Sequence, residues 1–286
     1  MHDYLISFLL GIVEGITEFL PVSSTAHLRI AEAFLGISLS DGYWKMFSIV
    51  IQLGAILCLP IVFWRRISEF FSTFPRGVHG DRSALNHPLT LTLLAFVCTA
   101  IPSFLLARVI GKHLEALVLM AAALITGGAV MWIVDAAFGN RNQKKDVESI
   151  GLGQATWIGL CQTLSAIFPG TSRSMVTIAA GEIAGLSRST ALEFSFLLSI
   201  PTMAAATGYD LLKSMRYSGD ASVGLLRSDA HAIIVLVIGF ATSFFVAWRM
   251  VAWLIDWVRQ RGFAPFAVYR ILVGVMVLIW ALKANL

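Results

Sequence analysis

Uncharged apolar stretches of about the length that crosses a bilayer recur along the chain. They lie at residues 46–64, 88–107, 116–134, 194–209, 232–248 and 266–282. The fourth is extended by its apolar neighbours, and the sixth is interrupted by Arg270. Because about 20 apolar residues in a helix span the hydrocarbon core, each stretch is predicted to be a transmembrane helix. The pattern therefore predicts an all-α polytopic membrane protein.

The composition agrees with this prediction. Of 286 residues, 57% are hydrophobic and only 13% are charged, and the mean hydropathy is +0.79, which excludes an ordinary soluble domain. Asp3 stands where a signal peptide carries basic residues, so a cleaved leader is not predicted. The net charge of +4 fits contact with anionic lipid headgroups, and no nucleic-acid-binding signature is present. The three cysteines lie in apolar runs without metal-ligand spacing and are predicted to be core residues; they are Cys58, Cys98 and Cys161.

The chain contains an internal repeat. Residues 11–24, GIVEGITEFLPVSS, align without gaps with residues 159–172, GLCQTLSAIFPGTS. Three spanning candidates follow each copy, and an odd number of crossings per half turns the second copy upside down relative to the first. The sequence thus predicts two inverted-topology repeats, at residues 1–138 and 150–286, joined by a polar linker at 139–149.

Neither repeated segment fits a simple transmembrane helix. The first has only about ten apolar residues, 4–13, before Glu14, and Pro169-Gly170 interrupts the second where a helix should finish. Short, broken segments at equivalent places in two halves predict re-entrant helix pairs. Each half would then consist of one re-entrant pair and about three transmembrane helices. The alternative is one tilted spanning helix with a proline kink in each half.

Basic residues favour one orientation in the membrane. Three loops, at 65–87, 139–149 and 259–261, carry clusters of Arg or Lys and fall on one side of the predicted topology. The positive-inside rule makes that side cytoplasmic and places both termini outside. The bias is weakened by basic residues on the other face, namely Arg108, Lys112, Lys213, Arg216 and Arg227.

The first repeated segment combines two acids with a proline. Glu14 and Glu18 are four residues apart and would project from one helix face, close enough to share a cation or a proton. Pro21 ends that helix, and Ser23 or Ser24 is placed to cap the next one, so that backbone N–H groups point into the break. His27 follows about one turn later.

The second segment, PGTSRSMVT at 169–177, repeats the break and adds a guanidinium. Gly170 permits close backbone approach, Ser172 and Ser174 supply hydroxyls, and Arg173 offers a planar fork suited to phosphate oxygens. If the two breaks meet, one cavity would suit a phosphorylated ligand. The N–H donors and Arg173 would hold the anion, while the carboxylates would bind a divalent metal or move protons.

Some of these polar residues also have a purely structural interpretation. Each Glu could be the partner of an Arg or of backbone groups. Gln52, alone in an apolar span, could join the cavity or only bond a neighbouring helix. Arg249 and Arg270 lie towards the ends of predicted spans, where they are expected to cap a helix or to extend to the interface.

Two motifs carry a family resemblance. EGITEFLPVSSTAH at 14–27 resembles the glutamate-rich motif of bacterial undecaprenyl-diphosphate phosphatases of the bacitracin-resistance type, and PGTSRSMVT resembles their second motif, PGxSRSxxT. The likeness extends over essentially the whole chain. Ala26 and Met175 stand where glycine is expected in many members, and both could narrow the cavity or stiffen the turns.

The resemblance implies a hydrolase of the bacterial cytoplasmic (inner) membrane, with its active site facing the periplasm. Such an enzyme removes the terminal phosphate of undecaprenyl diphosphate, so that the lipid carrier is reused for peptidoglycan synthesis. It implies a polyprenyl diphosphate substrate, surrounding membrane lipids and a divalent metal, Mg²⁺ or Ca²⁺. A homo-oligomer is compatible with the sequence.

The residue hypothesis combines these motifs. Catalysis is assigned to Glu14, Glu18, Ser24, His27 and Arg173, with Glu14 and Glu18 holding the metal. Substrate phosphate would be bound by Ser23, Thr25, Ser172, Arg173, Ser174 and Thr177.

Two chemical routes and two rival functions stay open. Ser24 could be the nucleophile, activated by His27 with help from a carboxylate, or a metal-activated water could attack directly. The rival functions are a transporter or flippase of polyprenyl-phosphate lipids, since inverted repeats build many carriers, and a non-catalytic lipid-phosphate binder.

Overall fold

The computed structural model describes residues 2–37, 42–77, 80, 83–110, 117–139, 146–217 and 230–283, which are almost entirely helical. Two short 3-10 turns lie at Ala84–Asn86 and Val147–Ser149. The helices of the first half are α1 (His2–Thr17), α2 (Ser24–Phe34), α3 (Gly42–Ile56), α4 (Cys58–Val62), α5 (Trp64–Thr73), α6 (Pro88–Ile110) and α7 (Leu117–Phe138). Those of the second half are α8 (Leu152–Ile167), α9 (Arg173–Ile183), α10 (Arg188–Tyr217), α11 (Ala230–Arg261) and α12 (Ala264–Lys283).

Six stretches of the described chain are long and apolar enough to cross a membrane, which confirms the predicted spans. They also leave large apolar side chains exposed on the outside, as a lipid-facing surface requires; Phe104 and Ile133 are examples. The protein is a multi-pass membrane protein. The six spans are Gly42–Val62, Pro88–Leu106, Leu117–Phe138, Arg188–Leu212, Ala230–Arg261 and Ala264–Lys283.

Each half begins with a helical hairpin instead of a spanning helix. Helices α1 and α8 have 16 residues each, or about 24 Å of helix, which is short of a hydrocarbon core of about 30 Å. Helix α2 packs back against α1, and α9 packs back against α8. A single kinked helix could not bring its two limbs into such contact. The structure therefore contains the predicted helix pairs.

The first helix of each half packs against a spanning helix of the other half. The hairpin helix α1 packs against α11 of the second half, and α8 packs against α6 of the first. Helices α7 and α12, the third spans of their halves, also pack together. This crosswise pairing agrees with two repeats, whose inverted topology and boundaries stay predictions. Residues 140–145 of the linker, which include Arg141, Lys144 and Lys145, lie outside the described residues, and so does Arg82.

Glycines at repeat-related positions allow these crosswise contacts. A Cβ on Gly11 in α1 would lie 2.8 Å from the Gly239 carbonyl oxygen of α11. A Cβ on Gly159, which the repeat aligns with Gly11, would overlap the backbone of Ala95 in α6. Small residues at helix crossings let backbones approach closely. The two glycines therefore fix how each hairpin packs on the opposite half.

Gly159→Ala is expected to destabilise the fold, because α6 and α8 must separate to admit the methyl group. We expect a loss of about 1–3 kcal/mol, the usual range for overpacking, measured as a lower thermal midpoint in detergent. Gly153→Ala is the matched control, since nothing lies within 4 Å of a Cβ at Gly153 in the same helix. Equal midpoints for the two variants would contradict this account.

Candidate active site

The two breaks between helices, at residues 18–23 and 168–172, have the same local structure. Ser23 and Ser172 are the only non-glycine residues with positive φ in the described chain, at 75° and 71°. Each caps the following helix: the Ser23 hydroxyl accepts from the Ala26 N–H at 3.5 Å, and the Ser172 hydroxyl accepts from the Met175 N–H at 3.3 Å. The first N–H groups of α2 and α9 have no acceptor within their own helices. Each break is thus a helix N-terminus suited to an anion.

Direct hydrogen bonds bring the two breaks together. The Ser174 hydroxyl, at the start of α9, donates to the Leu20 carbonyl at 3.1 Å. An Arg173 Nη2 lies 3.5 Å from Glu18 Oε1, and the Ser24 hydroxyl donates to Glu18 Oε2 at 2.5 Å. Glu18 therefore lies between a hydroxyl of the first break and a guanidinium of the second. The predicted meeting of the two breaks is what the structure shows.

A cavity of about 550 Å³ opens beside this contact. Its polar end contains six of the residues proposed from the sequence, namely Glu18, Ser23, Ser24, Thr25, Ser172 and Arg173. Its apolar end lies between α6 and α10 and includes Phe96, Phe104, Met203 and Tyr209. Phe104 and Tyr209 are largely exposed on the bundle surface. The cavity thus joins a polar end, whose groups suit an anion, to an apolar opening between two spanning helices.

Arg173 keeps hydrogen-bonding capacity in this cavity. Its side chain is only 12% exposed, and Nη1 is buried without a protein acceptor among the described residues. A buried guanidinium with a free nitrogen is costly unless an anion binds it. The free donor fits a phosphate oxygen.

Four predicted site residues do not line the cavity. Thr177 is buried, and its hydroxyl contacts the Ser195 hydroxyl at 2.6 Å, while the Ser174 hydroxyl holds Leu20 as described. Both hydroxyls therefore bind protein, not open space. The other two residues outside the cavity wall, Glu14 and His27, have different surroundings.

His27 braces the first break. Its Nδ1 lies 2.7 Å from the Ser23 carbonyl, which can only accept, so that nitrogen carries a proton. Its Nε2 lies 2.8 Å from the Tyr269 hydroxyl, and the two rings stack with centroids 5.6 Å apart. Neither ring nitrogen therefore binds the Ser24 hydroxyl, which donates to Glu18 instead. The hydrogen bonds do not show the predicted pairing of His27 with Ser24.

Glu14 is fully buried behind Glu18. The Glu18 N–H donates to the Glu14 carbonyl at 2.9 Å, so the two residues keep the i, i+4 relation of a helix face. Neither Glu14 carboxylate oxygen has a hydrogen-bond donor among the described residues. A buried carboxylate without a partner is costly, and a cation would satisfy it.

The carboxylate pair fits a divalent metal that shares its ligands with a substrate. No group of three or more His, Cys, Asp or Glu side chains is arranged for a metal within the described ranges. Mg²⁺ is commonly bound by one or two carboxylates together with substrate phosphate oxygens and water. Glu14 and Glu18 match that pattern, whereas a site built from protein ligands alone would need more of them.

The sequence-based expectation for Arg270 is wrong. Arg270 lies in the seventh position of α12 and is 0% exposed. Its Nη1 donates to the Pro21 carbonyl at 3.0 Å, and its Nη2 lies 2.9 Å from the Thr171 carbonyl. Nη2 also lies 3.2 Å from the carbonyls of Gly170 and Ala123. Its place within the apolar run did not distinguish a buried arginine from one that extends to the interface.

Two glutamines complete the cavity wall. Gln52 joins it from α3, which settles the open alternative in favour of the cavity. Gln162, which the repeat aligns with Glu14, is buried and donates to the hydroxyls of Thr99 and Thr202 at 3.0 and 3.2 Å. The second half therefore replaces a carboxylate by an amide held within a neutral network.

Comparisons with known proteins agree with this site. The family model described as Bacitracin resistance protein BacA matches residues 7–276. An undecaprenyl-diphosphatase of Koribacter versatilis is 64% identical over 285 residues, covering 99% of this chain and 100% of the relative. Proteins of the same name from Rhizobium leguminosarum bv. trifolii and Caldanaerobacter subterraneus subsp. tengcongensis are 42% and 39% identical. The alignment with the Rhizobium protein covers 96% of each chain, and the alignment with the Caldanaerobacter protein covers 95% of this chain and 94% of the relative. Because the family model matches nearly its whole length, including both breaks between helices, the chain belongs to the bacitracin resistance protein BacA family.

Proposed function

We propose that the protein is an undecaprenyl-diphosphatase, which hydrolyses undecaprenyl diphosphate to undecaprenyl phosphate and inorganic phosphate. The observation that carries the proposal is the contact of Ser24, Glu18 and Arg173 at the polar end of a cavity that is apolar at its other end. A lipid diphosphate has the same division, with an anionic head and an apolar chain. The product would be reused as the lipid carrier for peptidoglycan.

Glu18 is the proposed base for Ser24. Its Oε2 accepts the Ser24 hydroxyl proton at 2.5 Å, within the distance needed for proton transfer. Ser24 Oγ then attacks the terminal phosphorus, the bond from that phosphorus to the bridging oxygen breaks, and undecaprenyl phosphate leaves. Water next cleaves the phosphoserine, releasing phosphate and restoring the hydroxyl. In the alternative route, water attacks the substrate directly and Ser24 only binds phosphate.

Anion binding is assigned to groups of both breaks. The free Nη1 of Arg173 and the unpaired N–H groups at the starts of α2 and α9 would hold oxygens of the terminal phosphate. Donors fixed in place before the reaction stabilise negative charge in the transition state more than in the substrate. Ser23, Thr25 and Ser172 line the same wall and are proposed as further phosphate contacts.

His27 is proposed to position the break. Its ring ties the Ser23 carbonyl to Tyr269 of α12, so it holds the residue that precedes the nucleophile. This role differs from the activation of Ser24 that the sequence motif favoured, and it follows from the hydrogen bonds on both ring nitrogens.

A divalent cation, Mg²⁺ or Ca²⁺, is proposed to be held by Glu14 and Glu18. When bound, it would neutralise part of the charge of the diphosphate and polarise its phosphorus–oxygen bonds. Glu14 is the proposed primary ligand, because neither of its oxygens has a hydrogen-bond donor in the part of the chain that the structure describes. Glu18 would divide its oxygens between the cation, Ser24 and Arg173.

The proposed location is the bacterial cytoplasmic membrane, with the cavity open to the periplasm. This orientation rests on the positive-inside rule applied to the basic loops. Undecaprenyl diphosphate then reaches the cavity through the opening between α6 and α10. A transporter or a binder of lipid phosphates is not favoured, because neither function needs a serine hydrogen-bonded to a carboxylate.

Purified protein in detergent is expected to release phosphate from farnesyl diphosphate, and Ser24→Ala is expected to abolish this. Because the variant lacks the nucleophile, the rate should fall by at least about 10²-fold. Acid-quenched wild type should contain phosphoserine at position 24, detected by mass spectrometry. Ser199→Ala is the control, since the Ser199 hydroxyl donates to the Ser195 carbonyl in the preceding turn of its own helix. A Ser24→Ala variant that keeps most of its turnover would favour direct attack by water.

Glu18→Gln is expected to fold and to lose turnover, because the amide accepts a hydrogen bond but is a far weaker base. Loss of a general base typically costs about 10²–10⁴-fold in kcat. Glu32→Gln is the matched control: Glu32 is also buried, but it binds Arg29 and Ser48. If the two variants retained similar kcat values, Glu18 would be a structural residue.

Glu14→Gln is expected to weaken metal binding more than folding, because it removes a buried carboxylate whose oxygens have no hydrogen-bond donor among the described residues. Two measurements check this: the Mg²⁺ or Ca²⁺ concentration that gives half-maximal phosphate release, and the rise in thermal midpoint on adding the ion. We expect the first to increase and the second to shrink. Unchanged values for both would remove Glu14 from the metal site.

A further inference from the structure

Arg270 connects the two breaks through backbone carbonyls alone. It belongs to α12, far in sequence from both breaks, yet it donates to Pro21 in the first and to Gly170 and Thr171 in the second. Its fourth acceptor is Ala123 of α7. All four acceptors are neutral, so no carboxylate shares these hydrogen bonds. A positive charge is thus buried directly behind the phosphate-binding wall.

The Thr171 contact determines where a neighbouring N–H group points. In a trans peptide the C=O and the following N–H are antiparallel. Because the Thr171 carbonyl faces Arg270, the Ser172 N–H points away from Arg270. No backbone acceptor among the described residues takes this N–H, and Ser172 lines the cavity. The guanidinium therefore orients a peptide whose donor is free.

The same side chain fixes the first break. Its bond to the Pro21 carbonyl holds the peptide that leads to Ser23, the cap of α2. The Tyr269 hydroxyl, on the adjacent residue of α12, holds His27 and through it the Ser23 carbonyl. One turn of α12 thus sets the position of both helix starts relative to each other.

We propose that Arg270 is a positioning residue for the reaction. By holding the Pro21 and Thr171 carbonyls, it aims the N–H groups that begin α9 at the terminal phosphate and keeps Ser24 opposite Arg173. Its charge, shared only with backbone dipoles, adds to the field that attracts the diphosphate. This inference rests on the proposed phosphatase function and deepens it, because it names what keeps the two half-sites in register.

Three variants separate the geometry from the charge. Arg270→Lys keeps the charge but lacks the planar fork by which two nitrogens bind carbonyls of both breaks, whereas Arg270→Met removes the charge and the donors. Gly127→Ala keeps Arg270 itself, but its methyl group would overlap the guanidinium and displace it. Arg249→Lys is the matched control, since Arg249 is exposed on the spanning helix α11.

The measurements are the thermal midpoint in detergent, kcat and KM for phosphate release from farnesyl diphosphate, and inhibition by pyrophosphate. For folded Arg270→Lys we expect kcat to fall by about 10²-fold or more, as for the loss of one oxyanion donor, with little change in KM. Arg270→Met should also weaken inhibition by pyrophosphate. Gly127→Ala should follow Arg270→Lys, and Arg249→Lys should match the wild type.

Several outcomes would overturn the proposal. One is a folded Arg270→Lys or Arg270→Met variant with wild-type kcat; another is a raised KM with kcat unchanged. If the two Arg270 variants do not fold, Gly127→Ala decides by the same criteria. If wild-type protein releases no phosphate, the proposed function fails, and Arg270 is then judged by thermal stabilisation with pyrophosphate. Stabilisation of wild type but not of Gly127→Ala supports the positioning role, and equal stabilisation refutes it.

Discussion

Two interrupted helices leave backbone carbonyls without helical partners inside an apolar bundle, and the Arg270 guanidinium binds them. In a membrane protein such carbonyls must find donors within the protein, because lipid offers none. Arg270 serves Pro21 from one break and Gly170 and Thr171 from the other. Without that donor each break would be costly by itself. Because one arginine supplies donors to both breaks, the requirement for backbone hydrogen bonds keeps the two breaks next to each other.

Where a carbonyl in a break faces Arg270, the N–H group of the same peptide points in the opposite direction. A helix start has donors without intrahelical acceptors, and here two such starts face a cavity that also contains Arg173 and Glu18. The interruption that destabilises the helices thus also creates the two helix starts that line the cavity. Folding and ligand binding depend on the same few peptides, so changes at the breaks are expected to alter both.

Hydropathy and the repeat predicted much of this arrangement from sequence. The six spans follow from uncharged apolar runs, and the contact of Glu18 with Arg173 follows from two motifs at aligned positions. The partner of Ser24 was not predictable, because His27 and Glu18 are both near it in sequence and only the helix directions decide. Arg270 was misjudged for a related reason. A single charge in a span resembles an interfacial residue unless its acceptors are known, and these lie 249 and 99 residues away along the chain.

The repeat explains why there is one site and not two. Continuing the alignment of Gly11 with Gly159 pairs Glu18 with Ala166 and Thr25 with Arg173. The first half therefore supplies Glu18 and Ser24, and the second half supplies the guanidinium of Arg173. Each half contributes a helix start close to the aligned position, while the charged groups differ between the halves. The proposed cleavage of a phosphoanhydride would use a carboxylate on one side of the terminal phosphate and a guanidinium on the other, and the joined halves bring both to one cavity.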